Sequence, residues 1–222
     1  LADRFSFGYF DLYQMLWLVI RVFAAATAPE MLCGDRREHV LQLYFSRAIS
    51  RGDYLLAKLG ALGLLIACIA FVPAFFLFLG YAFLAASPVQ YFGDHGADLG
   101  RILAAGTLIA LFYASISLVV AAYIDRKGIA AAVSVGGMLI VSAIGSALFE
   151  TVRADWHHYL ALVNPTLIPQ GITEWIFGST HLSGVEPQIA HAGLHGSWYL
   201  LSIALVTLVC GVVMYRRYLM ED

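Results

Sequence analysis

Charge is what this 222-residue chain has least of: 13% of its residues are Asp, Glu, Lys or Arg, whereas 61% are apolar. A soluble domain carries nearer a quarter charged residues, so composition excludes a water-soluble globule, a disordered chain and a disulfide-stapled secreted fold. Cysteine is scarce as well. Cys33, Cys68 and Cys210 sit in or beside apolar stretches, form no CxxC spacing and join no Cys/His cluster, so they read as small core residues. The chain lacks a GxxxxGK[ST] phosphate loop, which excludes ATP hydrolysis by its own residues. GxSxG, HExxH, GxGxxG and EF-hand patterns are missing too. Basic residues form short clusters rather than a basic domain, which gives no footing for nucleic acid.

What is present is length in apolar runs. They cover about 12–33, 59–86, 102–124, 129–149 and 198–215. Each is long enough for a helix to cross roughly 30 Å of hydrocarbon. The expected fold is therefore an all-α polytopic membrane protein, a single transmembrane domain over 1–222 with five spans. Pro73 is expected to kink or tilt the second span. The fourth span is rich in small residues, from Ala130 through Gly136, Gly137 and Gly145 to Ser146. It is expected to lie against protein rather than lipid.

Arg36, Arg37, Arg47, Arg51, Lys58, Arg126, Lys127, Arg216 and Arg217, nine of the thirteen basic residues, fall on one side of this layout. The positive-inside rule makes that side, and the C-terminus, cytoplasmic, in a plasma (inner) membrane. The first residues then lie outside. With no signal peptide ahead of them, this implies an earlier span and six crossings in the intact protein. The outer segment 150–196 is apolar at its centre but broken by Asn164-Pro165 and Pro169-Gln170-Gly171. It suits short helices in the outer leaflet or a re-entrant hairpin packed on protein.

Two ionisable residues fall within the first span. Arg21 is near mid-membrane, where a charge is expensive unless paired or hydrated. It reads equally as a bond to another helix or as a polar group on a substrate path. Glu30 lies nearer the basic end, seven residues before Arg37, and suits an ion pair at the rim or the same path. Outer histidines add a further possibility. His191 and His195 are spaced i, i+4, with His181, Glu186 and His157-His158 upstream. Two ligands without a fixed third fit solvated histidines better than a metal site.

The loop 34–58 is the most informative stretch. Val40, Leu43 and Tyr44 fall on one stripe of a short helix, and Ser50 or Asp53 can cap the following span. Such a loop suits an interfacial helix on anionic headgroups or a docking helix for a cytoplasmic partner.

Asp35-Arg36, Leu41 to Arg47 and Ser50 to Lys58 together resemble the type-2 ABC permeases, the transmembrane subunits of ATP-binding-cassette exporters. Ala28-Pro29 at the close of the preceding span, the Asp125-Arg126-Lys127 connection and the broken outer segment extend the likeness over the whole chain. Ala48 departs from the family's usual Pro, and Asn164-Pro165 from its usual Ser-Pro. The resemblance implies a coupling helix that presses on an ATPase subunit, with Asp35, Arg36, Arg37, Glu38, Tyr44, Arg47 and Arg51 near that contact. It also implies a second permease chain, ATP and Mg²⁺ bound in the partner rather than here, and export as the direction. A membrane-embedded metal enzyme using the outer histidines, and a scaffold that recruits without transporting, are the alternatives. Few charges along the spans favour lipid-like or amphipathic cargo over ions.

Overall fold

The computed structural model describes residues 8–37, 50–85, 87–152, 157–178 and 192–219. Six α-helices follow in order: α1 (Tyr9–Arg37), α2 (Arg51–Leu84), α3 (Pro88–Tyr123), α4 (Lys127–Thr151), α5 (Leu167–Phe177) and α6 (Gly196–Leu219). A short 3-10 helix, His157–Val163, precedes α5. No strand occurs among the described residues. All but α5 are long and apolar enough to cross a membrane, so the expected all-α polytopic class and its five spans are what the chain forms.

Helix ends explain why the elements outrun the apolar runs. α2 starts with a capping box: Ser50 Oγ accepts from the Asp53 amide at 3.1 Å, and Asp53 Oδ2 accepts from the Ser50 amide at 3.3 Å. Replacing Ser50 with Ala is expected to cost about 1 kcal/mol, read as a lower thermal midpoint in detergent. α3 opens on Pro88, whose missing N–H costs nothing at a first helical position. Its 36 residues span about 54 Å, well beyond the hydrocarbon, and its polar first turns carry exposed Asp94 and His95.

Both long helices run through a proline: α1 continues past Ala28-Pro29 to Arg37, and α2 contains Pro73. In each case proline removes one donor from a long apolar helix. The many remaining bonds and the packed neighbours keep the element continuous.

α3 is the hub. It touches α1, α2, α4, α5 and α6, and more of its apolar stretch is buried than of any other span. Small residues let its neighbours close in: a Cβ placed on Gly106 would meet Ala70 Cβ of α2 at 3.5 Å. Ile102, Ile109, Tyr113, Leu118 and Ala121 of α3 join Ile20 and Leu32 of α1 and Leu62 and Ile66 of α2 in one core. The basic end is tied together by polar contacts. Lys58 Nζ donates to the Met31 carbonyl at 3.0 Å, Cys33 Sγ donates to the Ile124 carbonyl at 3.1 Å, and Arg217 lies 5.6 Å from the Tyr123 ring.

Within the single chain, α4 is less covered than α3, with 28% of its apolar stretch buried against 61%. Ala130, Ser134, Met138, Gly145 and Phe149 face inward, whereas Val133, Ile140, Ile144 and Leu148 are exposed. Small residues permit close approach but do not require it on every face, and the described residues supply a neighbour on one face of α4.

Candidate functional site

The polar chemistry inside the helical bundle converges where the outer segment meets α1 and α4. Asn164-Pro165-Thr166 links the 3-10 helix to α5, and Pro165 lacks the donor that would let one helix run through. Asn164 does the joining. Its Oδ1 accepts from the Thr166 amide at 2.9 Å, and its carbonyl accepts from the Leu167 and Ile168 amides that open α5. Its Nδ2 donates to Ser146 Oγ at 3.0 Å and to the Ser142 carbonyl at 3.3 Å, both on α4. Ser142 Oγ also bonds Thr166 Oγ1 at 2.7 Å. Gly145 makes the approach possible: a Cβ there would stand 3.0 Å from Asn164 Cβ. Ser142 lies nine residues inside the Thr151 end of α4, about 13 Å along the helix, so the connection sits deep beside that span.

Arg21 meets the same junction from α1. It is fully buried, and its Nη2 donates to Thr166 Oγ1. The guanidinium lies 4.7 Å from the Trp17 ring and 5.9 Å from the Tyr113 ring. Among the described residues no ion pair reaches it, and its Nε and Nη1 have no hydrogen-bond partner there. A central charge costs about 2.5–3.5 kcal/mol on insertion scales. Two aromatic faces worth ~0.5–2 kcal/mol each offset part of that cost.

A second bridge lies further along α1. Gln170 Nε2 of α5 donates to Gln14 Oε1 at 2.8 Å, leaving Gln14 Nε2 and Gln170 Oε1 unpaired. Both amides, with Tyr13, Trp17, Tyr113 and Thr173, border a cavity of about 10 Å³ on the seam between α1, α3 and α5. Tyr113 Oη is buried without a partner as well.

The residues expected to matter are placed unevenly. Arg21 lies at the junction. Glu30 is exposed on the far side of α1, and its expected pairing with Arg37 lies outside the described side chains. Asp35, Arg36 and Arg37 form the last turn of α1, and Arg51 opens α2, but their side chains also lie outside the described set. Glu38, Tyr44 and Arg47 lie outside the described residues altogether. Of the outer histidines, His195 Nδ1 is 3.1 Å from Ser197 Oγ at the start of α6, and the His158 ring lies 4.1 Å from that of Tyr159. His181 and His191 lie outside the described residues. Sequence reasoning missed Asn164, Thr166, Gln14 and Gln170 as a constellation. The signal available was hydrogen-bonding side chains inside apolar stretches, where each must find a partner.

Five helices long and apolar enough to cross a membrane, with a short helical segment before the last of them, define a polytopic membrane protein. Residues 6–222 match the family described as ABC-2 family transporter protein, and the chain belongs to that family. It is an integral, multi-pass permease subunit of an ABC transporter and not itself the ATPase, and its family implies a partnering ATP-binding subunit. No curated protein matches the chain.

Proposed function

We propose that this permease subunit exports an amphipathic substrate from the cytoplasm, working as a dimer driven by a separate ATPase that binds ATP and Mg²⁺. The observation that carries the reading is the pair of uncovered faces on α1 and α4, two helices that pack on each other. Met15, Val19, Val22 and Glu30 lie along one exposed stripe of α1, and Val133, Ile140 and Ile144 are exposed on α4. Aliphatic faces of this kind suit lipid. Glu30 does not, because an exposed carboxylate near a span needs water, a headgroup or a second chain. A second permease chain, homologous or identical, closes a path between these faces, with membrane lipids around the rest.

In this reading the whole chain forms one transmembrane domain in the plasma (inner) membrane, with the basic end and the C-terminus cytoplasmic. The connection 34–58 then faces the ATPase, and Asp35, Arg36, Arg37, Glu38, Tyr44, Arg47 and Arg51 meet it. Charged and aromatic residues suit such a partly wet interface. Nucleotide brings the ATPase subunits together, the loop passes that motion to α1 and α2, and the outward state gains population. The outer hairpin, held at Asn164 beside the middle of α4, re-enters the outer leaflet and closes the path from outside.

The protein extracted from its native membrane should bring down a nucleotide-binding subunit in equal number, with vanadate-sensitive ATPase activity. Purification of the chain alone, under conditions that keep other membrane complexes whole, would overturn the reading.

A further inference from the structure

α4 and α6 both pack on α3 but form no packed seam with each other. The space between them is a cavity of about 350 Å³. Phe112, Ile116 and Val120 of α3 form its floor, Val133, Gly137 and Val141 of α4 form one wall, and Val206 stands on the α6 side. The spacing i, i+4, i+8 on two helices makes it a crevice along their axes, about 12 Å long. Gly137 keeps it open, since nothing lies within 4 Å of where its Cβ would stand. Pro165 and Ile168 of the outer segment line it as well. Val141 directly precedes Ser142, whose carbonyl accepts from Asn164, so the outer segment stops the crevice at that end.

The walls select an apolar occupant. Ser134 is the one polar side chain among the lining residues, and its hydroxyl faces Ser117 Oγ at 3.4 Å. An apolar space of about 150 Å³ already stays dry and takes up a benzene, and this one is larger. Left empty, its wall atoms would lose their contacts on one side. A helix is about 10–12 Å across and needs more volume than this over the same length, whereas an alkyl chain does not. The other end of the crevice leads to charge. Arg126 and Lys127 are exposed where α3 joins α4, and Arg216 is exposed at the end of α6. Arg217 lies 5.6 Å from the ring of Tyr123, the last residue of α3, so these helix ends stand together. Asp125 is the one carboxylate among their described residues, against four cations. From Lys127 to Val141 is about 21 Å along α4, the depth of one leaflet with its headgroups.

We propose that the crevice between α4 and α6 is a binding site for one anionic phospholipid of the leaflet at the basic end. Its acyl chain lies along Gly137 and its headgroup sits among Arg126, Lys127 and Arg216. Inside a bilayer a chain gains nothing from leaving water, so preference for this place comes from close packing on three helices and from charge at the rim. The outer segment closes the crevice to the opposite leaflet, which is why one leaflet supplies the lipid. The bound chain fills the gap that keeps α4 apart from α6. The site requires neither a second permease chain nor an ATPase, and it goes beyond the permease reading.

The test uses the full chain in phosphatidylcholine nanodiscs with a trace of phosphatidylglycerol that carries a photoreactive diazirine midway along one acyl chain. Crosslinked residues are mapped by mass spectrometry. Labelling of 133–141 and Val206 is expected to exceed that of Phe76, an exposed side chain of α2, by about fivefold or more. Unlabelled phosphatidylglycerol should displace the crevice label, and an equal amount of phosphatidylethanolamine should not. Gly137→Leu fills the crevice and should cut its labelling by about fivefold while leaving Phe76 unchanged. Should that variant fail to fold, as judged by circular dichroism, Val206→Phe fills the space from the opposite wall. Arg126→Gln combined with Lys127→Gln should remove the preference for phosphatidylglycerol and keep the crevice labelled. Crevice labelling no stronger than at Phe76, a folded filled variant labelled like the parent, or equal displacement by phosphatidylethanolamine would overturn the site. A second copy seated over the crevice would show as label at Phe76 with none in the crevice, and would overturn it too. A chain that holds the lipid but brings down no ATPase would keep the site and remove the permease reading.

Discussion

Alanine at both Tyr44 and Arg47 is expected to leave the permease in the membrane while cutting the substrate-stimulated part of its partner's ATPase activity by at least tenfold. The expectation follows from where force must pass. An ATPase subunit outside the membrane moves the spans only through residues that touch it, and the 34–58 connection joins α1 to α2 at the basic end. Tyr44 combines an apolar body with a hydroxyl, and Arg47 offers a planar fork of donors; both residue types dominate the energetics of small interfaces. In the proposed coupling role, loss of both removes the directional contacts this loop offers the ATPase. Thermal stability in detergent should therefore stay within about 0.5 kcal/mol of the parent, as for ordinary surface changes. Single changes separate the roles: Arg47→Lys keeps the charge but loses the fork, and should recover only part of the stimulation. Unchanged stimulation in the double variant would remove this loop from the coupling path.

The number of spans was legible because it depends on a coarse quantity, apolar length, that leaves room for five crossings and little else. Helix ends were less so. The polar stretch Pro88–Arg101 gives no hydropathy signal, yet it continues α3, since a helix needs capping and propensity rather than apolar surroundings. Proline's local cost at 29 and 73 is plain in sequence, while the packing that keeps both helices continuous is not. The small residues of α4 gave a true capacity for close approach, used at Gly145 against Asn164 and left unused at Gly136 and Gly137. Arg21 shows the limit most sharply. Its cost in a membrane could be read from one residue, but its partners Tyr113 and Thr166 stand 92 and 145 positions away in the chain. Asn164 appeared only as part of a break in an apolar stretch. Its place as the knot between α4 and α5 depends on a chain reversal that no local pattern encodes.

Replacing Asn164 with alanine is expected to destabilise the protein by about 3 kcal/mol and to abolish transport. Asn164 is 1% exposed, and its side chain answers three groups: the Thr166 amide, Ser146 Oγ and the Ser142 carbonyl. Alanine leaves the Thr166 amide buried without an acceptor, at about 1–3 kcal/mol, and opens a gap against Gly145. Thr166 then loses the backbone geometry that holds its hydroxyl between Ser142 and Arg21, so the damage reaches α1. Aspartate keeps the acceptor for the Thr166 amide but cannot donate to Ser142 or Ser146, so it should recover only part of the loss. Serine can still accept from the Thr166 amide and should recover about half of the loss. Ser146→Ala removes one partner of a bond and should cost no more than about 1 kcal/mol. A double-mutant cycle over Asn164 and Ser146 should give a coupling of about 1 kcal/mol, measured by thermal or denaturant unfolding in a fixed detergent. A coupling near zero, with Asn164→Ala as stable as the parent, would mean that the outer hairpin is held by its apolar contacts alone.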